Sequence, residues 1–274
     1  DSHTLEVALE AGGTAIVNAK SIVIATGSTP FKPTELAAAG DRLVVNDDIF
    51  AWTDLPKSVL VLGAGVIGLE LGQALSRLGV DTTLIGRHDH MAMLSDPVVL
   101  DTAIGIFRQE MHYISDGAIT AVARSEAGVV VTYTDNDKVS HTKTVDYLIS
   151  TAGRRVNLPQ LDLAAAHIAI NEKGIPNFNS DTMQIDNSHV FLAGDVNAEL
   201  QLLHEAADEG AIAGANAARI AQSQDVQADQ RRTPLSIVFS DPNIATVGTP
   251  YRSLDLIRSA AGEVSFHNQG RSRV

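Results

Sequence analysis

Apolar residues in this chain follow two habits: short continuous runs that stop at glycine, and stretches that recur every three or four positions. The run Ser58-Val59-Leu60-Val61-Leu62 has no polar face, so it predicts a strand covered on both sides, as in a parallel sheet. It enters Gly63-Ala64-Gly65-Val66-Ile67-Gly68 without a break. Beyond that turn, Val66, Leu69, Leu71, Ala74, Leu75 and Leu78 keep helical spacing up to Gly79, and Thr82-Thr83-Leu84-Ile85 reads as the next strand. Residues 58–85 are thus a strand, turn, helix and strand in series.

The same reading extends in both directions. Upstream, 4–9, 14–19 and 21–25 predict three strands, a meander feeding a buried strand that closes on Thr26-Gly27. Pro30 and Pro33 mark a surface connection, and 51–56 a linker. Downstream, Asp96-Pro97 opens a helix with apolar Val99, Leu100, Ala103, Ile104, Phe107 and Met111. Segments 118–124, 129–134 and 138–143 predict a second meander, and 145–151 a return strand that delivers Ala152-Gly153-Arg154-Arg155 at its carboxyl end. After a polar, loop-rich stretch over 157–188, Val190-Phe191-Leu192-Ala193 predicts a buried strand stopping at Gly194-Asp195. A helix over about 203–221 is rich in Ala and Gly, which predicts close approach to its neighbours. A polar linker over 222–232 precedes strands at 235–239 and 244–247 and a helix over 251–260, the start of a further domain.

The glycine turn carries the first chemical implication. Glycine at 63 permits a tight turn, at 65 lets backbone amides approach a pyrophosphate, and at 68 lets the helix pack closely on the strand. A helix start presents unpaired N–H groups and roughly half a positive charge, which favours an anion there. A purely structural glycine turn is the alternative reading; the strand before, the helix behind and the strand after it favour a dinucleotide.

Composition narrows the rest. A chain of 274 residues with 45% hydrophobic and 19% charged residues is a packed protein with room for two domains. The formal charge of −13 argues against nucleic acid or an anionic membrane as partner. No apolar stretch approaches the roughly 18 residues of a membrane span. Cysteine is absent, so these residues hold no disulfide, thiolate metal site or cysteine nucleophile, and no metal site is expected; a reducing, cytoplasmic setting fits. Asp1 follows no initiator Met or targeting segment, and the chain reads as an internal piece of a longer polypeptide.

Five motifs in order, IVIATGSTP at 22–30, VLVLGAGVIGLELGQALSRLG at 59–79, STAGRR at 150–155, VFLAGDV at 190–196 and LLHEAADEG at 202–210, resemble those of the flavin-dependent pyridine nucleotide disulfide oxidoreductases, with the dihydrolipoamide dehydrogenase branch the most similar. A sixth, FSDPNIATVG at 239–248, resembles the entry to that family's dimerisation domain. The resemblance implies an α/β fold of two Rossmann-like nucleotide-binding domains, the NAD(P) domain inserted in the FAD domain. Residues 1–54 and 155–232 would be remnants of the FAD domain, 55–154 the NAD(P) domain, and 233–274 the beginning of an α+β dimerisation domain. It implies electron transfer between a dihydrolipoyl dithiol, FAD and NAD or NADP, in a homodimer served by the lipoyl-bearing acyltransferase of 2-oxoacid dehydrogenase complexes. The redox-active cysteine pair, the first FAD glycine motif and the C-terminal His–Glu base of the family match nothing in these residues, so no catalytic residue is assigned and the chain by itself is expected to lack dihydrolipoamide turnover. A soluble transhydrogenase or another disulfide reductase is the runner-up, and a non-catalytic nucleotide-binding module the reading from another class.

Carried over residue by residue, the resemblance sets Thr26 and Gly27 beside the FAD diphosphate and ribose. Asp195, just after Gly194, would accept a hydrogen bond from the ribityl chain, with a helix N-cap as its alternative role. Leu202, Leu203 and His204 would approach the flavin ring through backbone groups, although His204 reads equally as a helix-end histidine bonded locally. Gly63, Gly65, Val66, Ile67 and Gly68 would line the nicotinamide nucleotide's pyrophosphate, with Gly153 beside it. Glu70 would point to the flavin–nicotinamide junction, or is simply a helix-start carboxylate; Arg154 would bridge toward the nucleotide, or is a solvated loop charge. One departure matters. NAD enzymes of this kind end the second strand in a carboxylate, whereas here it ends Leu84-Ile85-Gly86-Arg87-His88, so Arg87 stands where a 2′-phosphate could be met and either NAD or NADP is expected.

Overall fold

The computed structural model describes residues 3–87, 90–255, 257–260 and 262. In chain order, strands β1 (Thr4–Ala8) and β2 (Thr14–Asn18) precede β3 (Ile22–Ile24) and β4 (Ser28–Pro30). A 3-10 segment, Thr34–Arg42, leads to β5 (Leu43–Val44) and the one-turn helix α1 (Asn46–Ile49). The central unit is β6 (Ser58–Leu62), α2 (Val66–Arg77), β7 (Asp81–Ile85), α3 (Pro97–Glu110) and β8 (His112–Ile114). A meander of β9 (Ala118–Ser125), β10 (Gly128–Thr134) and β11 (Ser140–Val145) returns through β12 (Tyr147–Ser150) to β13 (Arg154–Val156). Last come β14 (Val190–Leu192), α4 (Leu203–Ala221) and the hairpin β15 (Leu235–Val238) with β16 (Ile244–Val247).

Five strands form one parallel sheet in the order β5-β12-β6-β7-β8. Its central strand shows why the run at 58–62 carries no polar face. Val59 and Val61 pack with Leu69, Leu75 and Phe107 on the helical side, while Leu60 packs with Ile85, Leu148, Val129 and Val131 on the side of the meander. All three β6 residues are fully buried. Helix α3 starts where the pattern predicts: the Asp96 side chain accepts from the amides of Val98 and Val99, and Pro97 takes the first helical position. A second, smaller layer pairs β14 with β3 in parallel and packs α4 against both. Strand β13 pairs antiparallel with β4, so the chain leaving the central sheet is stitched to the segment that follows β3.

Several expectations need correction. Strands β1 and β2 pair only with each other, and the strand they feed, β3, takes as partner β14, 168 residues away in sequence at Val190↔Ile22. The proline-marked connection holds the Thr34–Arg42 segment, whose Leu36 and Ala39 are buried in the core, and β5 joins the central sheet. Strand β8, three residues long, is too short to show a period in the sequence. The glycines of α4 do not mediate close packing, since a Cβ at Gly210 or Gly214 would meet open space. In the segment expected to be a helix over 251–260, Tyr251–Ser253 makes one 3-10 turn and Leu254 is extended, while Leu256 lies outside the described residues.

Candidate functional site: a glycine turn at the mouth of the parallel sheet

The turn between β6 and α2 shows three different reasons for glycine. Gly63 has φ +114°, and a Cβ there would come within 2.5 Å of the Thr151 carbonyl oxygen. At Gly68 a Cβ would lie 1.8 Å from the Gly63 carbonyl oxygen, so the first turn of α2 presses on the turn that precedes it. At Gly65 nothing lies within 4 Å, and this residue is the N-cap of α2 without any side-chain cap. The helix start therefore lacks a side-chain acceptor for its first amides and borders open space at Gly65, the arrangement that suits a phosphate. Sequence reasoning missed Thr151. Its hydroxyl, 2.9 Å from both the Leu62 and Gly63 carbonyl oxygens, buttresses the turn from the end of β12.

A cleft of about 650 Å³ opens over this turn. Gly63 and Gly65 line one side, Thr151 to Gly153 another, and Arg87 with His90 the rim beyond β7. That volume falls in the range of ligand sites. Arg87 and His90 are brought together by an antiparallel bridge, which places a second basic side chain near the arginine; His88 lies outside the described residues. The absence of a carboxylate at the end of β7 has a steric counterpart. A Cβ at Gly86 would sit 2.9 Å from the Ala64 Cβ and 3.1 Å from the Tyr113 hydroxyl, so no side chain fits there without movement.

The residues expected near a flavin gather at the other junction, around β3, β4 and β14. Gly27 has φ +68° and its carbonyl accepts from the Asn157 amide, while the Thr26 hydroxyl donates to the Asn157 carbonyl. Asp195 follows Gly194, which has φ +78°, and its Oδ2 accepts from the Ser28 hydroxyl at 2.8 Å. The 3-10 turn it begins has Gly194, not Asp195, as its N-cap. Arg154, expected to reach the nucleotide, turns instead to Ser28, donating from Nε to the hydroxyl at 2.6 Å and from Nη2 to the carbonyl at 2.8 Å. Its Nε is 3.7 Å from Asp195 Oδ2. Gly153, beside it, does line the cleft.

Two more residues have partners remote in sequence. Glu70 Oε1 accepts from the Phe239 amide at 2.8 Å, so its carboxylate holds the β15–β16 turn. His204 Nε2 bonds the Leu235 carbonyl at 2.8 Å, which is not the local contact expected. Leu202 is the N-cap of α4, and Leu203 is 89% exposed. Among the described residues no group of three or more acidic, histidine or cysteine side chains is arranged for a metal, and no helix is long and apolar enough to cross a membrane.

A parallel sheet with a glycine turn and an uncapped helix start at its mouth defines the class of dinucleotide-binding folds. The pattern described as pyridine nucleotide-disulphide oxidoreductase matches residues 1–210, and the chain belongs to that family. Its cofactors are FAD and NAD(P). A dihydrolipoyl dehydrogenase from Chlamydia pneumoniae is 30% identical over 244 residues, 89% of this chain and 50% of that protein. A soluble pyridine nucleotide transhydrogenase from Marinomonas sp. (strain MWYL1) is 28% identical across 100% of this chain and 58% of its own length. The chain thus spans about half the length of the curated relatives it matches. Among solved structures, LpdA from Mycobacterium tuberculosis superposes with a TM-score of 0.74 at 25% identity, covering 90% of this chain and 52% of its own. The HOCl-induced flavoprotein disulfide reductase RclA from Escherichia coli shares the fold, with a TM-score of 0.74 at 19% identity over 92% of this chain and 55% of that one.

Proposed function

We propose that this chain is the nucleotide-handling part of a dihydrolipoamide dehydrogenase, in which a dihydrolipoyl dithiol is oxidised to its disulfide and two electrons pass through FAD to NAD(P). The nicotinamide takes a hydride and one proton leaves, so the two thiol protons are accounted for. The observation that carries this reading is the Gly63–Gly68 turn, with its open amides in the same cleft as Gly153 and Arg87. In it, Gly63, Gly65, Val66, Ile67 and Gly68 hold the pyrophosphate. Thr26, Gly27, Gly194, Asp195 and the start of α4 at Leu202, Leu203 and His204 form one wall of the flavin site. Arg154 serves that wall through Ser28, and Glu70 acts as a strut to the hairpin. Residues 55–154 act as the NAD(P) domain, 1–54 and 155–232 as parts of the FAD domain, and 233–274 as the entry to a dimer interface. The parent is a cytoplasmic homodimer that meets the lipoyl-bearing acyltransferase of a 2-oxoacid dehydrogenase complex.

One observation favours a transhydrogenase as the second reading: Gly86 cannot carry the carboxylate of an NAD site, while Arg87 and His90 offer two basic groups to a 2′-phosphate. Titrating NADH and NADPH into the purified chain, with nicotinamide fluorescence as signal, separates the readings. We expect both to bind and Arg87→Ala to weaken NADPH about tenfold, the worth of one charged hydrogen bond, with NADH little changed. Failure of both nucleotides to bind overturns the assignment, and an NADH preference untouched by Arg87→Ala removes the arginine from it.

A further inference from the structure

Glu209 is the fully buried carboxylate of α4, and its surroundings belong to the segment that carries Asp195. Its Oε2 accepts from the Gly194 amide at 2.7 Å and from Asn197 Nδ2 at 2.6 Å. Its Oε1 accepts from Arg231 Nη2 at 2.9 Å, and the same nitrogen donates to Glu205 Oε2 at 2.8 Å. Arg231 comes from the polar linker after α4 and also lies 4.0 Å from Glu199 Oε2. The other side of Asn197 is used as well, since its Oδ1 accepts from the Glu199 amide at 2.9 Å. Gly194 and Asn197, on either side of Asp195 and Val196, are therefore both bonded to one carboxylate. Burial pushes that carboxyl upward, against the Gly194 amide, the charge of Arg231 and the Asn197 amide that favour its ionised form.

Such an arrangement is expensive as a stability device. A buried ion pair is often matched or exceeded in stability when apolar residues of similar volume replace both partners, so its presence calls for another reason. The reason is geometric: Gly194 takes φ +78°, a conformation glycine adopts freely, so the direction of its amide is set by the carboxylate it bonds. We propose that Glu209, neutralised by Arg231, is the positioning residue that sets the Gly194–Asn197 loop and through it the Asp195 carboxylate, which makes the 222–232 linker part of the flavin site. The purpose assigned to the loop rests on the flavin reading above; the clamp itself does not.

Amide hydrogen exchange of the full 274-residue chain tests the clamp, with Glu209→Leu and Glu209→Gln as the variants. Glu209→Leu keeps the volume and removes the acceptor. We expect exchange over 193–198 to rise at least tenfold while β6 and β7 keep their relative protection, with a lower Tm because Arg231 and two buried donors lose their acceptor. Glu209→Gln retains a carbonyl acceptor and restores most of the protection. Unchanged exchange over 193–198 in the Leu variant overturns the clamp, as does an equal rise across all segments, which marks general destabilisation. Should either variant fold poorly, Asn197→Leu removes the second loop contact from outside α4 and must raise exchange at 194 for the clamp to stand. FAD titration by fluorescence quenching then addresses the reading separately: a loosened loop with tenfold weaker FAD supports both, and a loosened loop in a chain that never bound FAD leaves the clamp and removes the flavin purpose.

Discussion

At the scale of single residues, the three glycines of the turn make different demands, and substitution separates them. A methyl at Gly68 collides with the Gly63 carbonyl, so Gly68→Ala should cost about 1 to 3 kcal/mol of stability, the usual range for overpacking. A methyl at Gly65 meets only open space, so Gly65→Ala should leave Tm nearly unchanged while weakening NADH at least tenfold by filling the phosphate position. Thermal melts and nucleotide isotherms of the two variants check this; equal losses of stability would mean that the open space at Gly65 is not a ligand's. The spacing of the glycines was legible because each answers a local backbone requirement. Thr151 was not, because its hydroxyl bonds reach Leu62 and Gly63, 89 and 88 residues away. Losing that hydroxyl in Thr151→Val should cost on the order of 1 to 2 kcal/mol, readable from urea unfolding at an unchanged slope.

At the scale of elements, helix α2 has two jobs. Its start faces the cleft, and the side carrying Glu70, Gln73 and Arg77 grips the turn of the β15–β16 hairpin. Gln73 accepts from the Asp241 amide and donates to its carbonyl, and Arg77 donates to both Glu110 and Asp241. The periodicity showed the buried face of this helix but could not show which polar positions meet a segment about 165 residues further on. These contacts also predict a pH dependence. The hydrogen bond from Arg77 holds the Glu110 carboxyl below its ordinary value of 4.5. A depressed carboxylate contributes stability above its unfolded pKa and loses it as pH falls through the folded one. The pair is partly exposed, so the contribution is small, but its sign is fixed. Below pH 4.5 the wild-type chain should lose Tm more steeply than Arg77→Met, whose Glu110 has no cation to lose. Parallel acid limbs for the two proteins would show that the bridge does not bind Glu110 in solution.

At the scale of the whole molecule, the central sheet and the β3–β14 layer meet at a short polar chain: Arg154 from the end of the central sheet, Ser28 on β4, and Asp195 beyond β14. The return of 145–151 to the sheet of 58–62 was legible, because continuous apolar runs demand cover on both faces, whereas the order of the strands and the places of β5 and β8 were not. The pairing of β3 with β14 and of β4 with β13 was not, since three-residue strands carry no period and their partners lie more than 120 residues away. Arg154 illustrates the consequence. Next to Gly153 in sequence it reads as a nucleotide ligand, yet the antiparallel register Arg154↔Pro30 turns its guanidinium to Ser28 and away from the cleft that Gly153 lines. Arg154→Met should therefore leave the NADH dissociation constant within about twofold, because no contact to the nucleotide is removed. It should instead raise amide exchange around 28–30 and 154–156, where two charge-assisted bonds are lost from a pairing only three residues long. A tenfold loss of NADH affinity with unchanged exchange would return Arg154 to the nucleotide site and leave Ser28 as the sole support of Asp195 from that side.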